Sequence, residues 1–259
     1  MIQKRRDETP HGRGVSNLET LNSEDWQQLN SEIISCRLCP RLVKYRERIA
    51  REKRRAYRDW DYWGRPVPGF GDVNARVLLV ALAPGAHGSN RTGRMFTGDA
   101  SGDFLYGALH RAGFANKPIA RHAYDGLELR DVFISAVARC APPQNKPTPR
   151  EIANCRPYLA REIELLKNLC VVVALGRIGF DGYTRHLKEQ GAQLPRLEFK
   201  HGAVYTLGNE LPALICAYHP SKQNTQTGRL NAVMMDAILQ SAKQILDRED
   251  AKGAKELSC

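Results

Sequence analysis

The chain reads as an α/β protein, a single domain with a central, mostly parallel β-sheet flanked by helices. Three observations predict this. With 259 residues it is long enough to bury a full core as one domain. The runs Val77-Leu78-Leu79-Val80, Val132-Phe133-Ile134 and Val171-Val172-Val173-Ala174-Leu175 have the length and apolar content of strands buried on both faces. Between them lie stretches with apolar residues at helical spacing, so strand and helix alternate along the chain.

Taken in order, residues 1–17 are polar and carry Pro10, Gly12 and Gly14, which predicts a loose basic arm. The folded domain is expected over 18–247. Trp26, Leu29, Ile33 and Ile34 recur at helical spacing and deliver Cys36-Arg37-Leu38-Cys39 at the helix C-terminus. Residues 41–59 are strongly charged and read as helical. The segment Trp60 to Asp72 is punctuated by prolines and glycines and reads as a loop, with Trp60, Tyr62 and Trp63 either anchoring it or free to stack on a ligand. After the strand at Val77, Ser101 can cap a helix that buries Leu105, Leu109 and Ala112 and closes at Gly113. The strand at Val132 is expected to run to Cys140. Thr148-Pro149-Arg150-Glu151 is a capping box with proline in the first helical position. The strand at Val171 enters a turn at Gly176. A fourth strand spans Leu211 to Ala217, a closing helix runs from Asn231 to Leu246, and a charged tail is expected over 248–259.

A formal net charge of +11 makes a polyanion a natural partner, although charged runs such as Lys4-Arg5-Arg6 can also be merely solvated. No apolar run reaches the length of a membrane span, and the basic N-terminus leads into no apolar stretch, so no membrane partner and a cytoplasmic location are expected. Seven cysteines in a reducing compartment point to metal binding before disulfides. Cys36 and Cys39 form one tight pair; Cys140 and Cys155, with fourteen residues between them, form a looser one. Zinc sites usually show two tight pairs, whereas iron–sulfur clusters tolerate wider spacings. Spacing alone leaves iron, zinc and no metal open. Cys170 and Cys216 read as packed core thiols, and Cys259 has no assigned role.

Three segments follow strands, where open α/β sheets place their ligand sites: Ala83-Pro84-Gly85-Ala86-His87-Gly88, Phe96-Thr97-Gly98-Asp99 and His219-Pro220-Ser221. The first has little side-chain bulk and lets a planar ligand approach backbone amides. Its continuation adds Arg91 and Arg94, an aromatic ring and a carboxylate. Asp99 can be a catalytic acid or a helix N-cap, and both roles are compatible.

With these stretches, and with Arg139-Cys140-Ala141-Pro142-Pro143-Gln144-Asn145-Lys146-Pro147-Thr148-Pro149, the chain resembles the uracil-DNA glycosylase superfamily, and within it the family 5, type b enzymes. The likeness runs from about Cys36 to Leu230. It implies a fold of that family and a [4Fe-4S] cluster on Cys36, Cys39, Cys140 and Cys155. It also implies monofunctional hydrolysis of the N-glycosidic bond of a damaged base flipped out of DNA, by a monomer in base-excision repair. By resemblance, Asp99 holds or activates the attacking water and His219 donates a hydrogen bond to the departing base. Phe96 stacks on that base. Ala83, Gly85, Ala86 and His87 line the base pocket, largely through backbone amides. Asn145 helps orient water or base, with a turn asparagine as its alternative. Arg91, Arg94, Lys146, Ser221 and Lys222 contact the DNA backbone, or the charged ones among them are simply solvated.

Two departures bear on substrate range. Position 83 is alanine where relatives outside this family carry an acidic or amide side chain. Ala136 stands where the family 4 enzymes place a uracil-reading asparagine. A pocket without that amide discriminates less strictly, which fits the family's association with hypoxanthine and other deaminated bases. The competing reading is a non-catalytic iron–sulfur or zinc DNA-binding module of the same fold.

Overall fold

The computed structural model describes residues 17–208 and 211–256; the expected arm up to residue 16, and Cys259, lie outside these residues. The chain opens with α1 (Asn17–Ser35) and α2 (Pro40–Glu52), followed by a 3-10 turn at Arg55–Tyr57. Next come β1 (Phe70–Gly71), β2 (Val77–Ala81), the single turn α3 (Ser89–Thr92), α4 (Ala100–Arg111) and β3 (Val132–Ala136). A 3-10 turn at Pro143–Asn145 leads to α5 (Pro149–Leu165), β4 (Val171–Leu175) and α6 (Arg177–Glu189). The remainder is β5 (Val204–Tyr205), β6 (Ala213–Ala217), α7 (Lys222–Gln226) and α8 (Ala232–Glu256).

The six strands form one mixed sheet in the order β1-β3-β2-β4-β6-β5. The four central strands are parallel, and the two-residue edge strands β1 and β5 are antiparallel to their neighbours. Parallel strands buried on both faces need helices above and below. Val77 and Leu79 of β2 face one core with Leu105 of α4 and Met235 of α8. Leu78 and Val80 face the other, with Trp26 of α1, Leu159 of α5 and Phe180 of α6. From β2 the chain passes to β3 on one side and later returns to β4 on the other. The switch in strand order therefore lies between β2 and β4, and the crevice at their C-terminal ends is where such a sheet receives a ligand.

Thr148 and Glu151 form the expected capping box of α5. Several other expectations are corrected. The cap of α4 is Asp99, whose Oδ1 accepts from the Gly102 amide at 3.0 Å, and Ser101 lies inside the first turn. Strand β3 ends at Ala136, because the next residues bend away to carry Cys140 toward α2, where it packs on Cys39 and Leu42. Gly176 opens the helix α6. Helix α8 continues past Leu246 through the charged stretch; its residues are good helix formers, and Asp250 is paired with Arg76 at 2.7 Å. Cys216 is fully buried in β6, but Cys170 precedes β4 and is only half-buried. Among the described residues no helix is long and apolar enough to cross a membrane.

Candidate active site

A cleft of about 660 Å³ opens at the C-terminal ends of the central strands. The three sequence segments converge on it. Ala83, Gly85, Ala86 and His87 come from the loop after β2, Phe96 and Asp99 from the turn before α4, and His219, Ser221 and Lys222 from the exit of β6. Asn145 joins them from the 3-10 turn after β3.

Asp99 sits where the loop backbone leaves room for it. Its Oδ2 lies over the glycines of the first segment: a Cβ on Gly85 would come within 2.9 Å of that oxygen, and one on Gly88 within 1.9 Å. Burial pushes the carboxyl above its usual range, while the amides of Gly102 and Ser101 and the Arg91 cation work against that shift. The N-cap and the cleft-facing carboxylate are thus one residue using two oxygens.

His219 is held by its own turn. Asn224 Nδ2 and the Ser221 amide donate to its carbonyl at 2.9 and 2.7 Å. Its ring stacks on Phe96 with centroids 5.7 Å apart. Burial lowers its pKa to about 4, so the imidazole is neutral at physiological pH and one nitrogen carries a proton to donate. Phe96 has φ of 51°, an unusual backbone for an aromatic residue, and its ring is buried.

His87 is half-buried, and its Nδ1 lies 3.1 Å from the Tyr62 hydroxyl. Tyr62 thus serves the site by fixing that ring. Asn145 stands exposed on the rim, and it and Gln144 both have positive φ.

Arg91 and Arg94, expected as DNA-backbone contacts or solvated charges, are not surface cations. Both are buried, at 3% and 5% exposure, and each bonds to groups inside the protein. Arg94 pairs with Asp125 at 2.9 Å and donates to Thr97 Oγ1. Arg91 donates to the carbonyls of His87 and Gly98. Lys146 is exposed but outside the cleft lining, whereas Lys222 is exposed at its edge. Trp63 donates to the Pro66 carbonyl and Trp60 packs on Arg91, so both aromatics anchor their loop.

Residues 68–243 match the family model described as the uracil DNA glycosylase superfamily. The chain is 51% identical over 213 residues to the type-5 uracil-DNA glycosylase of Thermus thermophilus, an alignment covering 82% of this chain and 94% of that one. It is 50% identical over 219 residues to the type-5 uracil-DNA glycosylase of Mycobacterium tuberculosis, covering 84% and 81%. To a type-4 uracil-DNA glycosylase of Pyrobaculum aerophilum it is 31% identical over 198 residues, covering 76% and 83%. The chain belongs to the type-5 family of the uracil-DNA glycosylase superfamily. It is accordingly a hydrolytic glycosylase by class.

The type-5 chain also gathers the two cysteine pairs between α1, α2 and α5. Cys39, Cys140 and Cys155 are buried and Cys36 half-buried. Cys36 and Cys39 lie close enough to Cys155 to act on its ionisation, and Cys36 and Cys155 act likewise on Cys140. Among the described residues no three His, Cys, Asp or Glu side chains are arranged to hold a single metal ion. The donor set nevertheless suits a thiolate-bound group. Arg46 Nη1 donates to Cys140 Sγ at 2.7 Å and Asn154 Nδ2 to Cys39 Sγ at 3.4 Å. Arg46 is 2% exposed, a buried cation placed where ligated thiolates would supply the negative charge. Burial, outweighing the nearby Arg46 and Arg139 cations, pushes Cys140 up to about 12 and Cys155 to about 11, so ligation there must displace protons.

Proposed function

We propose that this chain removes uracil from DNA by hydrolysing its N-glycosidic bond, and that the same cleft accepts other deaminated bases such as hypoxanthine. The observation that carries the reading is the presence of Asp99 and a neutral His219 in one cleft at the sheet's switch point. Breaking the bond between sugar C1′ and the base leaves an oxocarbenium-like sugar, and the bonding electrons depart with the base as an anion. Asp99 stabilises the cationic sugar and takes the proton of the water whose oxygen adds to C1′. His219 donates its N–H to the oxygen of the departing base, which is stronger in the transition state than in the bound substrate.

Water, not an amine, is the nucleophile in this reading, although Lys222 stands at the cleft's edge. The floor from Ala81 to Gly88 offers backbone amides and, apart from Leu82 and His87, only small lining side chains. The side-chain amides of Gln144, Asn145 and Gln223 stand on the exposed rim, and Ala136 is buried away from the lining. A floor without a base-reading amide rejects non-uracil bases weakly, which supports the wider range. The net charge of +11 suits a DNA partner, and every group named comes from one chain, which supports action as a monomer.

Cys36, Cys39, Cys140 and Cys155 would hold a [4Fe-4S] cluster. Bound there, it would supply a structural tie between α2, α5 and the segment after β3 and take no part in hydrolysis.

The test is release of free base from duplexes carrying uracil or hypoxanthine, with borohydride trapping alongside. Release of both bases without a trapped adduct is expected. A trapped protein–DNA adduct would overturn the water mechanism, and release of uracil alone would overturn the wider range.

A further inference from the structure

Arg91 is a buried cation with an unusual environment. Its guanidinium sits in the corner made by two aromatic rings, 3.9 Å from the centroid of Tyr57 and 4.0 Å from that of Trp60. Nε donates to the His87 carbonyl at 2.8 Å and Nη2 to the Gly98 carbonyl at 2.7 Å. Nη1 is buried with no partner among the described residues. Gly98 must lack a side chain for this contact, because a Cβ would lie 2.4 Å from Nη2, and its φ is +81°.

These two carbonyls belong to different segments of the cleft. His87 precedes Gly88, on which Asp99 rests, and Gly98 immediately precedes Asp99. One planar side chain therefore sets the distance between the carboxylate and the loop beneath it. The rest of the 57–64 segment supports the same loop: Tyr62 meets His87, and the amides of Trp63 and Gly64 donate to the carbonyls of Arg91 and Asn90 at 2.9 and 3.0 Å.

We propose that Arg91, held by Tyr57 and Trp60, is a positioning residue that fixes Asp99 against the Ala83–Gly88 loop. The proposal rests on the role given to Asp99 above. The two rings stand nearly at right angles, 77° apart, and wall the guanidinium on two sides. Such contact suits a planar, weakly hydrated cation, and with the two carbonyl bonds it leaves the fork little freedom to turn. A lysine would keep the charge but could not span the two acceptors in that geometry. Groups that act on Asp99 besides Arg91 are Asp103, one turn along α4, and the amides of Ser101 and Gly102. His87, His219 and Lys222 line the same cleft. All of these are unchanged in the variants below.

The experiment compares wild type with Arg91→Met, Arg91→Lys and Trp60→Leu in the full chain. It measures single-turnover uracil release, DNA affinity against salt, and the Asp99 carboxyl titration by carbon-13 NMR. Arg91→Met is expected to slow release about a hundredfold, the usual cost of misplacing a reacting group by an ångström. DNA affinity and its salt dependence should stay at wild-type values, and Asp99 should titrate at higher pH. Arg91→Lys should return the titration toward wild type while release stays slow. Trp60→Leu leaves the charge and loosens the clamp, so it reads the same effect if Arg91→Met does not fold; about a tenfold loss of rate is expected. Unchanged release and an unchanged titration would overturn the proposal. So would a loss of rate matched by weaker DNA binding with a shallower salt slope, the mark of a phosphate contact. Should wild type release no uracil, the glycosylase reading falls, and the Asp99 titration still decides the case for Arg91.

Discussion

Replacing Gly88 by alanine tests the geometry of the cleft directly. A methyl group there would lie 1.9 Å from Asp99 Oδ2 and 2.6 Å from its Cγ. Oδ2 must retreat beyond 3.4 Å to reach an ordinary contact. The carboxylate is also held by Oδ1 on the Gly102 amide, so rotation away costs that cap, about 1 kcal/mol. A displacement of more than an ångström in the group that handles the water should slow the chemical step by about 10²-fold. Gly85→Ala is the graded control, because its methyl would lie 2.9 Å from the same oxygen and demands a smaller shift. About a tenfold loss is expected there. The assay is single-turnover release of uracil at saturating enzyme, with DNA affinity and a thermal melt measured in parallel. Gly88→Ala folded, bound to DNA and within threefold of wild-type rate would refute the placement of Asp99 as the reacting carboxylate.

Further outcomes follow from the charges inside the fold. Because burial raises the Asp99 pKa in the folded state, the native protein binds more protons than the unfolded chain as pH rises through the interval between the two pKa values. Stability therefore falls with rising pH across that interval, and the penalty is fully present above it. Asp99→Asn should raise the melting temperature at neutral pH, with the advantage fading in acid, while activity is lost; a lower melting temperature at neutral pH contradicts this. Arg94→Met should cost about 3 kcal/mol of stability, because it removes the buried cation paired with Asp125 and bonded to Thr97, and should leave the salt slope of DNA binding unaltered. Lys222→Glu should do the opposite, weakening DNA binding and reducing the salt slope by about 1 with the melt unchanged. Protein purified without oxygen should be brown and hold about four irons per chain, and Cys140→Ser should lose them; stoichiometric zinc would overturn the cluster assignment.

The sequence disclosed the strands, because apolar runs such as Val77 to Val80 and Val171 to Leu175 have a local signature that survives burial on both faces. It disclosed the cleft partly for the same reason, since the glycine-rich loop and the His-Pro-Ser each follow a strand; the acid after Thr-Gly does not, lying beyond α3 at the start of α4. The burial of Arg91 and Arg94 is not legible in the sequence, because arginine in isolation predicts exposure. What buries them is tertiary, an aromatic pair supplied from residues 57 and 60 and a carboxylate from residue 125. The Tyr62 contact to His87 was equally invisible, since no local pattern links residues 25 positions apart. Strands β1 and β5, two residues each, are too short for an alternating pattern and exist only as pairings with longer neighbours. The full extent of α8 is not legible because a charged tail looks like the end of a helix, although its charged residues favour helix and Asp250 ties it to Arg76. The expectation of a strand reaching Cys140 failed because the cysteine belongs to the contact with α2 and not to the sheet.

The most direct measurement is single-turnover release of uracil from a duplex by wild type and by Asp99→Ala, both shown to fold and to bind the DNA. The account predicts rapid release by wild type and a loss of at least about a hundredfold in the variant. Wild type that binds the duplex and releases nothing, or a variant that releases uracil at the wild-type rate, would contradict it.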